Sequence, residues 1–470
     1  MAPAKDSAAL PVESTVNTWL QNAGNNLAAY SDAFSNTDIL PNLPKAGTVK
    51  ASRQTAGIGL TTLTLSNGAT VLLKPTTFKN DEILFNIISP GGTSLYPDSD
   101  YESASGAAGI IDASGIGNIK PADFPKLLAG RHISIQPFIG DRSEGMNGST
   151  APKDLETAFQ LIHLYFTQPR VDSTVFDNLV SQSTNALRNR YSNPNNVFAD
   201  TTAAILGNYS PRRTGPSLDK LQQLSLDKVF RIYRERFANA GDFTFIFTGN
   251  FDNKAIRPLL EKYIGSLPST GTRETAKDLG IYAPTGYHRV IARKGTEDKA
   301  SVRMVITGNF DYSDAGRMQV NALTEILQFR MNERLREKEG GAYSPAVRFA
   351  VAKLPRGRYN IQVIFGCAPA NVDKLIAAVK EEMMGIEQNG PSADDLQKFA
   401  SEETRQYEIG LQSNKFWISN LSSSTENRED PASILRYKQE IKKVTAASIK
   451  AAAKKYLATG NLVECILLPE

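Results

Sequence analysis

Arg336 and Tyr343 stand seven residues apart in the segment NERLREKEGGAYSP, residues 332–345, on either side of two glycines, Gly340 and Gly341. A guanidinium and a phenol are both hydrogen-bond donors, the first permanently charged. Two readings stand side by side. In one, Arg336 is a solvated cation favoured by the helix dipole and Tyr343 an ordinary strand aromatic; in the other, they belong to a binding site. The rest of the chain offers no catalytic centre to attach them to. Its histidines, His132, His163 and His288, lie far apart, so neither HExxH nor HxxEH can be written. His163, in the apolar run LIHLYF, reads as a core or boundary histidine, and His132 and His288 as residues at strand edges. GxSxG, the P-loop and GxGxxG are absent, and GGAYSP lacks the glycine that follows the serine of a nucleophile elbow. The adjacent acids Glu381-Glu382 and Glu402-Glu403 point to different sides of their helices and read as solvated faces. No catalytic residue and no metal ligand of the chain's own is expected.

The elements that must position the pair follow from bulk and pattern. At 470 residues the chain exceeds one ordinary hydrophobic core, and 41% apolar with 22% charged residues is the composition of a folded globular protein. A net charge of +4, from 53 basic and 49 acidic residues without basic blocks, makes no electrostatic case for nucleic acid or an anionic membrane. No run of about 18 apolar residues exists, so membrane insertion is not expected, and MAPAKDSAALPVES has no hydrophobic signal core. Cys367 and Cys465 lie in the apolar runs IQVIFGC and VECILL and read as small core residues.

Residues 1–57, rich in Ala, Ser, Asn and Pro, read as a lead-in or connector with one helix around ESTVNTWLQNAGNNLAAYSDAF. Beyond them LTTLTLSNGATVLLKPT alternates apolar and polar residues on both sides of Asn67-Gly68. This is a hairpin signal for a type I′ turn, whose two central residues both need φ > 0. A strand in EILFNIISP follows, then a helix in KDLETAFQLIHLYFTQPR with Leu155, Phe159, Ile162 and Phe166 on one face. Residues 224–249 make a helix and then a strand. That unit recurs at 443–469, with Leu224 on Val444, Ser225 on Thr445, Val229 on Ile449 and Phe237 on Leu457, an offset of about 220 residues. Between the copies lie strands in 287–308, a helix in 322–338, a strand in RYNIQVIFGC and a helix in NVDKLIAAVKEEMMGIEQNG closed by Asn389-Gly390. Ser392 and Asp395 are then spaced as a capping box. So long a period suits two copies of one α+β domain. The predicted divisions are the lead-in 1–57, a first domain 58–268, a Pro/Gly/Thr-rich linker 269–286 and a second domain 287–470.

Four stretches carry a resemblance: LSNGATVLLKP at 65–75, SPGGTSLYPDSDYESAS at 89–105, PRRTGPSLDKLQQLSLDKVFRIYRERF at 211–237 with IFTGNFD after it, and LREKEGGAYSP at 335–345. From 58 to 470 the chain resembles the pitrilysin/insulinase family of zinc peptidases. The resemblance implies two homologous α+β domains, each a mostly antiparallel sheet packed on one face by helices, as in the mitochondrial processing peptidases. In the family's active half a first helix carries HxxEH, with a further glutamate ligand downstream. The corresponding stretch here, SASGAAGIIDASGIG at 103–117, has neither histidine nor glutamate, and the downstream position falls near Ala186. What is implied is a non-catalytic half, with no cofactor in this chain and zinc in an HxxEH-bearing partner half or subunit. Arg336 and Tyr343, in the context LRxxxGxAYS, match an arginine and tyrosine that the family's second half reaches across a chamber to an unfolded peptide substrate. Gly340 and Gly341 would let the backbone turn between the helix and the strand that carry them. Such a chain, whether a C-terminal portion of a longer protein or a separate subunit, is expected to be inactive alone, and a periplasmic location is implied. A catalytically silent scaffold of the same fold is the alternative.

Overall fold

β4, Ile83–Pro90, buries Ile83, Phe85 and Ile87 on one side of the strand and Ile88 on the other. A strand with one covered face alternates strictly, so this sheet is covered on both. The computed structural model describes residues 10–23 and 39–470. They fall into two compact units, Met1–Pro41 and Asn42–Glu470. Of the first, the described residues include helix α1, Glu13–Asn22, in which no residue is buried; the rest of the predicted lead-in helix, 24–34, lies outside the described residues.

The second unit contains two sheets. The seven-stranded one runs β1-β2-β3-β7-β4-β6-β5, from β1 (Val49–Thr55), β2 (Leu60–Leu65), β3 (Thr70–Pro75), β4, β5 (Ile133–Ile139), β6 (Ser143–Thr150) and β7 (Thr244–Gly249). The five-stranded one runs β10-β11-β9-β12-β8, from β8 (Tyr287–Arg293), β9 (Ala300–Asn309), β10 (Ala342–Ala352), β11 (Arg358–Cys367) and β12 (Leu462–Leu468). One order occurs twice: β3-β7-β4-β6-β5 repeats as β8-β12-β9-β11-β10. The single parallel pairing of each sheet falls at the same place, β3 with β7 and β8 with β12.

The helices repeat as well. In the first half they are α2 (Asp98–Ser114), α3 (Leu155–Thr167), α4 (Ser173–Arg188), α5 (Pro194–Leu206) and α6 (Leu226–Arg236). In the second they are α7 (Asp314–Met331), α8 (Val372–Asn389), α9 (Ala393–Gly410), α10 (Asn414–Glu426) and α11 (Ala446–Tyr456). Ser225 and Thr445 cap α6 and α11 from equivalent positions, and the predicted capping box of Ser392 and Asp395 opens α9. Aromatics fill the first core, where Phe166 of α3 stands 5.0 Å from Phe243 and Phe159 stands 5.3 Å from Phe247. Val302, Met304, Ile361 and Val363 meet Leu323, Leu327, Leu375 and Ile449 in the second.

The opposite face of each sheet is covered by a helix from the other half. α10 lays Trp417 and Leu421 on Leu60, Ile88 and Ile246 of the seven-stranded sheet. α5 lays Phe198 and Ile205 on Val305, Val463, Cys465 and Leu467 of the five-stranded sheet. Residues 269–286 form no helix or strand, yet they are tied down at both ends. Glu274 accepts from Arg236 at 2.6 and 3.0 Å, and Asp278 accepts from Arg356 at 2.8 Å.

Two local readings change. β1 falls within the stretch taken as lead-in; its sequence VKASRQT is polar and exposed, and ladder bonds to β2 hold it at the sheet edge. The Asn67-Gly68 hairpin forms, but only Gly68 (φ +89°) is left-handed. Gly68 N–H donates to Leu65 O at 3.0 Å and Leu65 N–H to Ala69 O at 2.9 Å, a tight turn followed by a glycine bulge rather than type I′. Asn67 is instead spent on tertiary contacts, donating to Ile264 O and Leu267 O at 2.8 and 3.1 Å.

Candidate functional site

α7 does not end cleanly. Its last turn widens into the π-helical segment Asn332–Lys338, closed by Glu339 N–H on Arg334 O at 3.0 Å, five residues back. Buried Leu335 anchors this segment, which turns the next residue, Arg336, to the exterior. Several of its charged neighbours are committed: Arg334 to Glu381 at 2.8 Å and Glu339 at 3.3 Å, and Lys338 to Glu333 at 2.8 Å. Among the described residues the Arg336 guanidinium has no hydrogen bond or ion pair.

The chain then reverses through Gly340, whose φ of +60° needs the freedom of glycine. Gly341 does not share that conformation, so the turn rests on one glycine where the sequence suggested two. Tyr343 follows at the start of edge strand β10, 69% exposed, its hydroxyl unpartnered among the described residues. Its ring lies beside β11, with Cδ2 4.0 Å from the place a Cβ on Gly366 would take. Directly after it the ladder slips, from Tyr343 opposite Gly366 to Ala346 opposite Ile364. Ser344 sits inside this bulge at φ +44°, a left-handed conformation that costs a non-glycine residue energy.

Two unspent donors thus flank the Gly340 turn, with the strained Ser344 directly after the second. What they can do is bind and polarise: a phenol O–H and a guanidinium N–H can both donate to a carbonyl oxygen and stabilise negative charge growing on it.

The stretch 103–117 falls on α2 and the turn after it. Ser103, Ala104, Ala107, Ile110 and Ile111 are buried along it, and Ser103 Oγ accepts from Ser225 N–H at 3.1 Å. Ala186 is an exposed residue of α4. Among the described residues no group of three or more His, Cys, Asp or Glu could hold a metal. A zinc ion does not fit the side chains present here. His163 is buried, with Nδ1 2.9 Å from Tyr263 O and its pKa held below the usual value by burial. His288 Nε2 meets Thr285 O at 2.8 Å, and His132 is engaged through its backbone N–H, which donates to Asp154.

Glu402 and Glu403 do not share a solvated face. Glu402 is half-buried and paired with Arg405, but Glu403 is buried, accepting from Tyr437 Oη at 2.5 Å and Asn321 Nδ2 at 3.0 Å. Burial, and then Glu403, push the neighbouring Glu325 up to about 8. Glu403 borders a cavity of about 320 Å³ between α7, α9, α10 and β10, lined also by Arg317, Asn321, Phe349, Asn420 and Tyr437 among others.

The duplicated sheet-and-helix fold, with no histidine or glutamate in 103–117 of α2 and the turn after it, can be set beside known proteins. Residues 223–401 match the family model described as the peptidase M16 inactive domain. In sequence the chain is 26% identical over 423 residues to the zinc protease PQQL-like of Arabidopsis thaliana, covering 86% of this chain and 41% of that protein. It is 22% identical over 452 residues to the probable zinc protease PqqL of Escherichia coli (strain K12), covering 95% and 48%. The crystal structure of the periplasmic protease PqqL from Escherichia coli shares the fold with a TM-score of 0.82 and 22% identity, over 100% of this chain and 52% of that one. The family model thus covers residues 223–401, and the fold of the whole chain is that of the Escherichia coli protease, in line with the pitrilysin/insulinase resemblance. The chain spans about half the length of the relatives it matches.

Proposed function

We propose that this chain is the non-catalytic, substrate-holding half of an M16-type zinc endopeptidase. An HxxEH-bearing half of the same family supplies metal and general base, and this chain closes the chamber around an unfolded peptide. Arg336 and Tyr343 donate to the peptide at the scissile position, where the carbonyl oxygen gains negative charge. The observation that carries this reading is the pair itself. Both donors are exposed and, among the described residues, unpartnered at the two ends of the Gly340 turn, in a chain whose stretch 103–117 carries no histidine or glutamate. The relatives being about twice as long fits a second half of similar size. The periplasm, named for the Escherichia coli protease, is the proposed compartment.

The test is reconstitution: co-purify this chain with the HxxEH half and measure cleavage of an unstructured peptide by each part and by both. Cleavage by the pair together and by neither alone is expected. Full activity of the HxxEH half without this chain would overturn the proposal.

A further inference from the structure

Gln328 lies in the last turn of α7, four residues before the π-helical segment begins, and its amide makes three hydrogen bonds. Nε2 donates to Asn332 Oδ1 at 3.0 Å and to Pro345 O at 3.0 Å, and Oε1 accepts from Val347 N–H at 2.7 Å. Asn332 is the first residue of the segment that carries Arg336, and Pro345 and Val347 belong to the strand that carries Tyr343. β10 is the terminal strand of its sheet, so the Pro345 carbonyl and Val347 N–H are edge groups that a further strand would otherwise take. The Gln328 amide occupies them as one residue of such a strand would. It does so just past the bulge, where two residues of β10, Ser344 and Pro345, intervene and the ladder to β11 is interrupted.

We infer that Gln328 is a positioning residue that fixes Arg336 and Tyr343 relative to one another, by joining their two elements through a single planar amide. This rests on the function proposed above. The turn between them, with glycines at 340 and 341, cannot set their separation by itself. The ladder cannot either, since it is irregular where Tyr343 enters. Without the amide, water can satisfy the freed edge groups, so the fold survives while the register of the two donors loosens. A misplacement of about 1 Å at such donors can cost up to about 10²-fold in rate.

The experiment uses the assembled two-half enzyme and four forms of this chain: wild type, Gln328→Met, Arg336→Ala/Tyr343→Phe, and the triple variant. Gln328→Met is expected to lower kcat by about 10- to 100-fold with its melting temperature nearly unchanged, and to cost nothing further once Arg336 and Tyr343 are gone. Gln328→Glu keeps the acceptor for Val347 but turns a second acceptor on Asn332 and Pro345. Its kcat relative to wild type should recover as pH falls and the carboxyl regains a proton to donate, a readout that also serves if the Met variant does not fold. If Arg336→Ala/Tyr343→Phe lowers kcat while Gln328→Met and Gln328→Glu do not, the inference on Gln328 fails and the role of the pair stands. An undiminished loss from Gln328→Met in the doubly substituted background would also overturn it. Wild-type kcat from Arg336→Ala/Tyr343→Phe would remove the reading on which it rests.

Discussion

Asn86, in the middle of β4, donates from Nδ2 to the Ser422 hydroxyl of α10 at 2.8 Å, from one half of the molecule to the other. Asn414 at the start of the same helix accepts from Thr76 Oγ1 at 2.5 Å and donates to Glu82 at 2.9 Å. These bonds orient a helix whose apolar side chains do the covering: Trp417 is 5% exposed against the seven-stranded sheet, with Lys74 Nζ 4.5 Å from its ring. α5 repays the arrangement on the five-stranded sheet. Each half therefore completes the core of the other, and neither sheet has both faces covered by its own helices.

Trp417→Ala is accordingly expected to cost about 3–5 kcal/mol, as large buried aromatics do. It should do so in a single cooperative transition, because the damaged interface belongs to both sheets. Urea unfolding followed by tyrosine fluorescence and by far-ultraviolet circular dichroism checks this. Two separated transitions in the wild type would contradict the mutual covering.

Much of this architecture is legible in the sequence, and the exceptions have physical causes. The offset that sets Ser225 on Thr445 and Val229 on Ile449 is a true duplication, with both caps and both buried residues in equivalent places. The exchange of α5 and α10 is not legible. The apolar residues of NKFWISNLSSSTE announce a buried face without saying whose sheet it meets. β1 escapes pattern reading because an exposed edge strand has no hydrophobic alternation to show. Glu403 escapes because its partners Asn321 and Tyr437 come from distant segments. Arg336 and Tyr343 stand out in the sequence only through the resemblance, whereas Gln328 carries no sequence signal: a glutamine near a helix end is ordinarily solvated, and only the fold brings Pro345 and Val347 to it.

For the pair itself, Arg336→Ala and Tyr343→Phe in the assembled enzyme should each lower kcat by about 10²- to 10³-fold, the usual loss when one donor to a developing oxyanion is removed. Both side chains are exposed and unpartnered among the described residues, so neither change should shift the melting temperature by more than surface substitutions do. Steady-state kinetics with scanning calorimetry on the same preparations separates the two effects. Equal losses of activity and stability would point to a structural role instead.

Zinc should not stay with this chain alone. The helix face from 103 to 117 offers no histidine or glutamate, and no cluster elsewhere among the described residues substitutes for it. After incubation with excess zinc and desalting, elemental analysis should find far less than one ion per chain. Stoichiometric retention would mean that the ligand assignment is wrong.

The buried acid pair makes stability depend on pH in a definite sense. Burial and the neighbouring Glu403 raise Glu325 to about 8, whereas an unfolded glutamate titrates near 4.3. Between those values the folded chain holds a proton that the unfolded chain has released, so stability falls as pH rises. The contribution is fully present below about pH 4 and is lost by the time pH passes about 8. Glu325→Gln keeps a donor toward Glu403 without a proton to lose. Its melting temperature should match wild type near about pH 5 and exceed it by a few degrees near about pH 8.5. Calorimetry across that range checks the sign: a wild-type protein that grows more stable than the Gln variant as pH rises would show that Glu325 is ionised in the fold, and the proton would have to be placed elsewhere in the network of Asn321, Glu403 and Tyr437.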